Sequence, residues 1–409
     1  MSTPVFSTPS SLAMARSPQF VTAKNNALAL DTLTEMDLNL RIRTGVLAAS
    51  GSFNYSLSKD YSINQVINFE ISDLVRSEFY HDFSVWNDTG YTQSPQGEAL
   101  WVIPTGSVTF SNNGAAPANA TFPDETETAF AYLTTDGWAT RDNIAPVSVT
   151  QPVLATSRNR QVLVGNYESL AINNSTTNGL AKIVITWQSG TSSDFFVGEG
   201  IVTPPTRATN DSRNLVIYAG VGAANLENNS FVDAGIKPSG QANGGVGQYY
   251  DVILKNASNT TIGTVRYYVQ CEPKYDPVQV AFINRFGVAD FITFFKRSDT
   301  RGNFTQDSYQ KSIYNDGFTT PSLEVGKYQS FNVNSRNTLT LNTGFVDQDY
   351  DETIEDILMS EYVAVYTNSN WVSAVPNRGS IEYQKSINTK LINYTMSFDF
   401  AFDERSLVR

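Results

Sequence analysis

The sequence predicts a mainly β protein made of tandem antiparallel β-sandwich or β-barrel domains. Aromatic residues make up 12% of the 409 residues, and Tyr and Phe, like Thr, favour pleated surfaces. Charged residues are only 17%, below the roughly 25% of an average soluble protein. Asn, Ser, Thr, Gln and Gly supply the remaining polarity, and several of these residues favour turns. Short alternating stretches separated by polar loops recur along the chain, as expected for a sandwich or barrel.

The first 33 residues are rich in Ser, Thr, Pro and Ala and show little periodicity. Residues 1–33 are therefore predicted to form an N-terminal arm or a disordered tail, and both alternatives stay open.

A first β-sandwich domain is predicted over residues 34–148. Met36, Leu38, Leu40 and Ile42 alternate with polar residues, which is typical of a half-buried strand. Further strands are predicted around 53–57, 67–71, 99–104, 107–111 and 126–134. Ser72 and Asp73 are expected to cap a short helical turn that runs towards Phe79.

A second β domain is predicted over residues 149–274, after a boundary marked by Pro146 and Pro152. Strands are expected around 161–165, 181–188, 214–219, 249–255 and 262–270. The stretch 181–188 is apolar at consecutive positions, as in a strand that is covered on both faces. The Gly- and Asn-rich stretch 220–248 is predicted to be a long surface loop.

A third domain, residues 275–409, is predicted to be a β-barrel or sandwich with one helix packed on it. Its first two strands are expected within 278–298, around a turn at residues 285–287. Later strands are predicted at 327–333, 337–342, 361–366, 379–387 and 394–402. The segment DYDETIEDILMSE, residues 349–361, predicts the helix, because its Ile and Leu residues form one apolar stripe.

Charge and cysteine content restrict the partners and the compartment. The net charge is −12 and the pI about 4.7, so neither nucleic acid nor a membrane is expected as a partner. There is no run of about 18 apolar residues, so no membrane span is expected. Cys271 is the single cysteine, which excludes an intrachain disulfide. The first residues lack the pattern of a signal peptide, and synthesis in a reducing cytoplasm is expected.

The chain offers few groups for nucleophilic catalysis. His81 is the only histidine, so a Ser-His-Asp triad would have to use it, yet the G-x-S-x-G pattern is absent. We interpret His81 as a packed or surface histidine. Cys271 has no base that can be named beside it, and we expect a small core residue there.

Metal and cofactor sites are not predicted either. Five acidic residues lie close together: Asp347, Asp349, Asp351, Glu352 and Glu355. A calcium-binding EF-hand loop needs Gly at its sixth position and Glu at its twelfth, where Glu352 and Leu358 stand. Helix capping and the helix dipole account for the acids without a metal. Gly220 and Gly222 are followed by Asn225 where a dinucleotide-binding fingerprint requires glycine.

Chemistry that needs only carboxylates stays open, because a glycoside hydrolase requires two acids and the chain has 40. Four tryptophans are candidates for stacking on sugars, although core positions are the expected interpretation: Trp86, Trp101, Trp138 and Trp371. No particular acid pair is selected. We therefore name no catalytic residue and expect a protein that is not an enzyme.

Several stretches resemble uncharacterised virion structural proteins of tailed bacteriophages. The segment CEPKYDPVQVAFINRFGVADFITFFKRS, residues 271–298, has their apolar strand, Asn-Arg-Phe-Gly turn and second aromatic strand. Residues 341–366 and 386–409 are similar to the C-terminal part of the same proteins, and residues 54–79 and 129–143 to their N-terminal part. The resemblance touches most of the chain and is least in 151–270.

The resemblance implies a structural subunit of the virion, in a tail or baseplate ring, that self-assembles as a homo-oligomer and contacts neighbouring tail proteins. It also implies assembly in the host cytoplasm and a C-terminal barrel like that of tail-tube and tail-hub subunits. One alternative is a tail-tip receptor- or carbohydrate-binding protein, with a host surface glycan as partner and the loops 188–213 and 220–248 as specificity loops. Others are a capsid-associated decoration protein and a polysaccharide depolymerase.

Overall fold

A computed structural model shows the predicted mainly β architecture. It describes residues 5–9, 12–24, 32–47, 52–60, 66–88, 90–111, 118–121, 130–138, 150–175, 179–188, 192–195, 211–228, 248–270, 274–311, 326–379 and 392–403. The chain divides into two compact units. Unit 1 comprises Met1–Cys271, Phe282–Phe291 and Asp349–Asp356, and unit 2 comprises the remaining residues. The predicted domain ranges 34–148, 149–274 and 275–409 stay predictions.

Seventeen strands are described between residues 5 and 270. They are β1 (Val5–Ser7), β2 (Ala13–Met14), β3 (Phe20–Lys24), β4 (Thr32–Arg43), β5 (Tyr55–Asp60), β6 (Val66–Glu70), β7 (Tyr91–Gln93), β8 (Ala99–Ser111), β9 (Ala118–Thr121), β10 (Tyr132–Thr135), β11 (Asn159–Leu163), β12 (Ser169–Asn173), β13 (Leu180–Trp187), β14 (Ser192–Phe195), β15 (Val216–Gly220), β16 (Tyr249–Asn256) and β17 (Thr261–Gln270).

The first core of unit 1 lies between two sheets, of strand order β1-β3-β6 and β2-β10-β8-β4-β5, with β9 paired to β8. As predicted, Met36, Leu38, Leu40 and Ile42 of β4 point into this core and are buried. Residues 5–24, from the segment predicted as an arm or tail, contribute three strands to these sheets. Of these, β3 pairs with β6, and β2 runs parallel to β10.

The second core of unit 1 lies between the sheets β11-β17-β16-β13-β14 and β12-β15-β7. The consecutive apolar positions of β13 are covered on both faces as predicted, with Ile183, Val184 and Ile185 buried. Tyr250 stacks between Trp187 and Tyr267, at ring-centroid distances of 5.6 and 5.3 Å. Offset aromatic pairs of this kind add to the stabilisation that burial itself provides.

Unit 2 is built on one seven-stranded sheet of order β19-β18-β22-β23-β24-β21-β20. Its strands are β18 (Val278–Ile283), β19 (Ala289–Phe294), β20 (Asp299–Gln310), β21 (Tyr328–Asn342), β22 (Val363–Thr367), β23 (Asn370–Pro376) and β24 (Thr395–Phe400). β18 and β19 contribute residues to both units. The predicted turn between them is present, with Gly287 in the left-handed region at φ 74°.

Two expected strand breaks are absent. The stretches predicted as 99–104 and 107–111 form the single strand β8, with Gly106 inside it. A Cβ atom at Gly106 would lie 2.0 Å from the Asp37 carbonyl oxygen of β4. This glycine therefore permits a close backbone approach and does not end the strand. In the same way, the stretches 327–333 and 337–342 belong to the one strand β21. The strand predicted at 379–387 falls almost entirely outside the described residues.

Three α-helices are described: α1 (Ser72–Arg76), α2 (Ala223–Asn228) and α3 (Tyr350–Met359). The predicted capping of α1 by Ser72 and Asp73 is wrong. Ile71 occupies the N-cap, and the Ser72 hydroxyl donates instead to the Glu70 carboxylate at 2.8 Å. The predicted C-terminal helix is α3, which begins with Asp351 and Glu352 in its first turn. It ends at Met359, two residues before the expected Glu361.

Candidate interaction surface

The most exposed regular structure of unit 2 is the β20–β21 hairpin. The two strands pair antiparallel from Asp299 opposite Thr340 to Gln310 opposite Tyr328. All twelve residues of β20 are exposed, as are the first five of β21. Because neither face of this part of the hairpin is covered, it contributes no core to its own chain.

Four aromatic side chains lie on the exposed hairpin. Phe304 is 74% exposed and Tyr328 70% exposed. Tyr309 and Phe331 are also exposed and touch each other edge to face, with ring centroids 5.7 Å apart. Exposed aromatic residues that share one element are typical of surfaces that contact another molecule.

The hairpin also presents an open sheet edge. β20 is the last strand of the seven-stranded sheet, so among the described residues no further strand pairs with the backbone groups on its outer side. Proteins commonly shorten, bend or cover such edges because they promote pairing with other chains. β20 is twelve residues long and contains no proline. The edge is therefore suited to strand addition by a neighbouring chain.

A groove of about 480 Å³ also lies in unit 2. Tyr366, Phe400 and Phe402 supply aromatic surface to its lining, and Asn337 and Asp403 supply polar groups. Phe402 is 66% exposed. Aromatic rings beside amide and carboxylate groups can stack on a sugar ring and bind its hydroxyls.

His81 belongs to a buried ion cluster in unit 1, and of the two expected alternatives the packed one is confirmed. Its Nε2 lies 3.2 Å from Oδ2 of Asp136, and its ring stacks on Phe79. Arg16 donates to both oxygens of Asp136 at 2.8 and 2.7 Å, and its guanidinium lies over the Trp138 ring. Burial alone raises the pKa of Asp136, but the hydrogen bonds from His81 and Arg16 lower that pKa below its usual value.

A second buried ion cluster surrounds Arg160. Its Nε lies 2.8 Å from Oε1 of Glu168, and one terminal nitrogen lies 2.5 Å from Oδ1 of Asp290. The same nitrogen donates to the backbone oxygen of Phe291. All three side chains are almost completely buried, and burial raises the pKa of Glu168 to about 7 against the lowering effect of Arg160. Burial lowers the pKa of Arg160, the two carboxylates raise it, and the net pKa lies well above the usual value. This guanidinium therefore stays charged.

Beside it, Glu98 is buried, and its hydrogen-bond partners among the described residues are uncharged. Its Oε1 accepts a hydrogen bond from the hydroxyl of Tyr218 and another from the backbone N–H of Ala289 at 3.0 Å. Burial raises the pKa of Glu98 to about 8, against the lowering effect of both hydrogen bonds. Glu98 is consequently protonated at neutral pH.

Three acidic residues of α3 and its N-terminal flank, all in unit 1, contact other side chains of that unit. Asp349 accepts from Nδ2 of Asn159, and Glu352 from a terminal nitrogen of Arg285. Arg285 also contacts Asp356, and burial raises the pKa of Asp356 to about 6. Asp347 belongs to unit 2. Within the described ranges, no group of three or more His, Cys, Asp or Glu residues is arranged to hold a metal ion.

The remaining residues considered from the sequence are dispersed. Gly222 permits close packing, since a Cβ there would lie 2.4 Å from the backbone nitrogen of Glu168. Trp138 is buried. Trp86 packs edge to face on Tyr167, and Trp371 packs against Tyr366. Trp101 is half-buried on β8. Cys271 lies outside the described residues.

Comparison with known proteins identifies no family for this chain. No family model matches the chain, and neither does any curated protein. Among solved structures, one that is similar in part is the crystal structure of invasin, a bacterial integrin-binding protein, with a TM-score of 0.21 and 8% identity. The alignment covers 84% of this chain and 56% of invasin, so the chain spans little more than half of that protein. In the described part of the chain, no helix has the length and hydropathy to cross a membrane.

Proposed function

We propose that this protein is a structural subunit of a bacteriophage virion, in a tail or baseplate ring, where it assembles with further copies and contacts neighbouring tail proteins. The observation that carries the proposal is the β20–β21 hairpin. All twelve residues of β20 are exposed, so this strand lacks the burial that ordinarily stabilises a strand. A neighbouring chain in an assembly supplies that burial.

Composition supports the same role. The two hairpin strands are dominated by Asn, Ser, Thr, Gln and aromatic residues and contain no glutamate. Glu and Lys are depleted at protein interfaces, whereas Tyr and Phe are enriched there. Such a role requires no catalytic group, which agrees with the expectation that the protein is not an enzyme.

The virion setting is supported by the resemblance of residues 271–298, 341–366 and 386–409 to virion proteins of tailed phages. The decisive experiment measures the protein's copy number and position in intact particles, by quantitative mass spectrometry and by antibody labelling in electron microscopy. We expect a fixed stoichiometry and labelling at the tail. A chain that is absent from particles and monomeric at all concentrations would overturn the proposal.

The groove of unit 2 favours a second candidate function, carbohydrate binding at the tail tip. Tyr366 and Phe402 would stack on a sugar ring. Asn337 would donate hydrogen bonds to the sugar hydroxyls or accept hydrogen bonds from them, and Asp403 would accept them. A glycan array tests this with the full chain and the Phe402→Ala variant. Binding that is lost in Phe402→Ala but kept in Phe345→Ala, an exposed Phe outside the groove lining, supports the candidate. An array without any bound glycan contradicts it.

A further inference from the structure

The outer edge of β20 is regular, although its hairpin contains a β-bulge. The pairing shifts where Gln306 alone faces two residues of β21, Asn332 and Val333. Asn332 adopts a left-handed conformation, with φ 51°, and its side-chain nitrogen donates to Asp307 at 2.9 Å. The extra residue therefore belongs to β21, the inner strand. Bulges often protect sheet edges when they lie in the edge strand itself, but here the edge strand keeps its regular spacing.

The opposite edge of the same sheet cannot receive β20. That edge is β19, in which all six residues from Ala289 to Phe294 are buried. Two copies that are joined through the edges of this sheet must therefore meet β20 to β20. Such a contact is isologous, with the same strand on both sides of a two-fold axis.

The sequence of β20 is self-complementary in an antiparallel register centred on Phe304. If the two-fold axis passes Phe304, Arg301 of each copy lies opposite Asp307 of the other, and the two Phe304 rings are neighbours. Opposite charges and aromatic pairs at facing positions stabilise antiparallel strands. Moving the axis by one residue to Asn303 places Asp299 opposite Asp307, which is unfavourable. The charges of the strand thus favour the register centred on Phe304 over the register centred on Asn303.

The hairpin segment is electrically neutral in an acidic chain. Residues 299–342 contain four acidic and four basic residues, whereas the whole chain carries a net charge of −12. Two copies of the chain repel each other through their net charge. Two copies that meet at this neutral segment experience the least local repulsion. A basic partner would instead bind the acidic surface of the chain, so the neutral segment favours a second copy as the partner.

We infer that β20 pairs antiparallel with β20 of a second copy of this chain, about a two-fold axis at Phe304, and so joins the two sheets into one. The inference rests on the proposed assembly function and names a contact that joins subunits in pairs; a ring needs head-to-tail contacts besides this one. Arg301 and Asp307 set the register, and Phe304 occupies the centre of the contact.

Charge reversal tests the register. Arg301→Asp places two aspartates opposite each other at two symmetric positions, and Asp307→Arg does the same with two arginines. We expect each variant to weaken the dimer by about tenfold or more, as measured by sedimentation velocity at low salt. The two variants mixed in equal amounts have opposite charges at both positions. The mixture should dimerise again, as should the double variant Arg301→Asp/Asp307→Arg.

The control for Arg301→Asp is Lys24→Asp, which makes the same change of charge at an exposed residue of β3 in unit 1, and should dimerise like the unmodified chain. Circular dichroism verifies that each variant is folded. Reversal variants that dimerise like the control, or a mixture that stays monomeric, would overturn the β20 contact. Particles that still contain the reversal variants at normal copy number would then preserve the proposed virion role, so the two failures are distinguishable.

Discussion

The hydroxyl of Tyr218 on β15 donates a hydrogen bond to Glu98, which lies 120 residues earlier in the chain, and both side chains are buried. The same Glu98 oxygen accepts from the backbone of Ala289. Three distant segments of unit 1 therefore meet at one carboxyl group. Because burial raises the pKa of Glu98 to about 8, this junction holds a proton when the protein is folded at neutral pH.

We expect Glu98→Gln to remove a large part of the pH dependence of stability. The unfolded carboxyl ionises near its usual value of 4.5, whereas the folded one stays protonated up to about pH 8. The folded state thus binds the extra proton, and the free energy of unfolding falls by about 5 kcal/mol in total as the pH rises across that window. The Gln side chain has nearly the shape of the protonated carboxyl and does not ionise. The Glu98→Gln variant therefore does not lose this free energy of unfolding as the pH rises.

Urea unfolding at pH 5, 6, 7 and 8 measures this difference. Glu98→Gln should resemble the unmodified chain at pH 5 and be the more stable protein at pH 8. Glu78→Gln, which changes an exposed glutamate, serves as the control. Parallel pH profiles for the Glu98→Gln variant and the unmodified chain would contradict a protonated Glu98.

Arg160→Met should be one of the most destabilising substitutions in unit 1. The change leaves the buried Asp290 carboxylate, and Glu168 whose pKa burial raises to about 7, without their shared cation, and breaking a buried ion pair costs about 3–5 kcal/mol. Chemical denaturation at pH 7 gives the magnitude. Arg297→Met, at an arginine whose side chain is 72% exposed, should change stability by less than about 0.5 kcal/mol. Equal effects of the two substitutions would disprove the role assigned to the cluster.

Asp136→Asn should destabilise the protein by about 2–4 kcal/mol at pH 7, because it weakens the bonds to Arg16 and His81. The pKa of Asp136 is lowered in the folded state, so its contribution is present above the usual carboxyl pKa. It disappears as the pH falls through the lower, folded value. The two proteins should therefore converge in stability in strong acid. Asp73→Asn, at a fully solvated side chain, provides the matched control in the same denaturation series.

Gly106→Ala should cost about 1–3 kcal/mol or more, since the added Cβ would lie 2.0 Å from the Asp37 carbonyl oxygen and force β4 and β8 apart. Gly379→Ala is the comparison, because no atom lies within 4 Å of the position its Cβ would take. Thermal unfolding of both variants distinguishes them. A Gly106→Ala protein as stable as Gly379→Ala would show that the strands are more widely spaced.

Strands with at least one buried face were predictable from the sequence. Alternation in β4 and consecutive apolar residues in β13 arise directly from burial, which leaves a pattern that can be read locally. β20 was not predicted, since its sequence DTRGNFTQDSYQ shows no apolar period. A strand without a buried face lacks that pattern, and β20 is the strand on which the proposed contact depends.

The buried polar clusters could not be predicted from the sequence either. Arg160 lies 130 residues from Asp290, and Arg16 lies 120 residues from Asp136. Nothing in the neighbourhood of either residue indicates which partner it will meet, because the pairing is decided by strand order. For His81 the missing catalytic partners led to a packed or surface position, of which the packed one is observed, yet its carboxylate partner Asp136 was not identified.

Because unit 1 is formed from three separate stretches of the chain, its folding depends on when each stretch is synthesised. Unit 1 includes Phe282–Phe291 and Asp349–Asp356 besides the first 271 residues. When residue 271 leaves the ribosome, Arg160 still lacks Asp290, and Thr156 still lacks its hydrogen bond to Asp356. At 5–20 residues per second, the 85 residues from 272 to 356 take roughly 4 to 17 seconds to make. The nascent chain must therefore wait for segments encoded much later in its message before Arg160 has its second carboxylate partner.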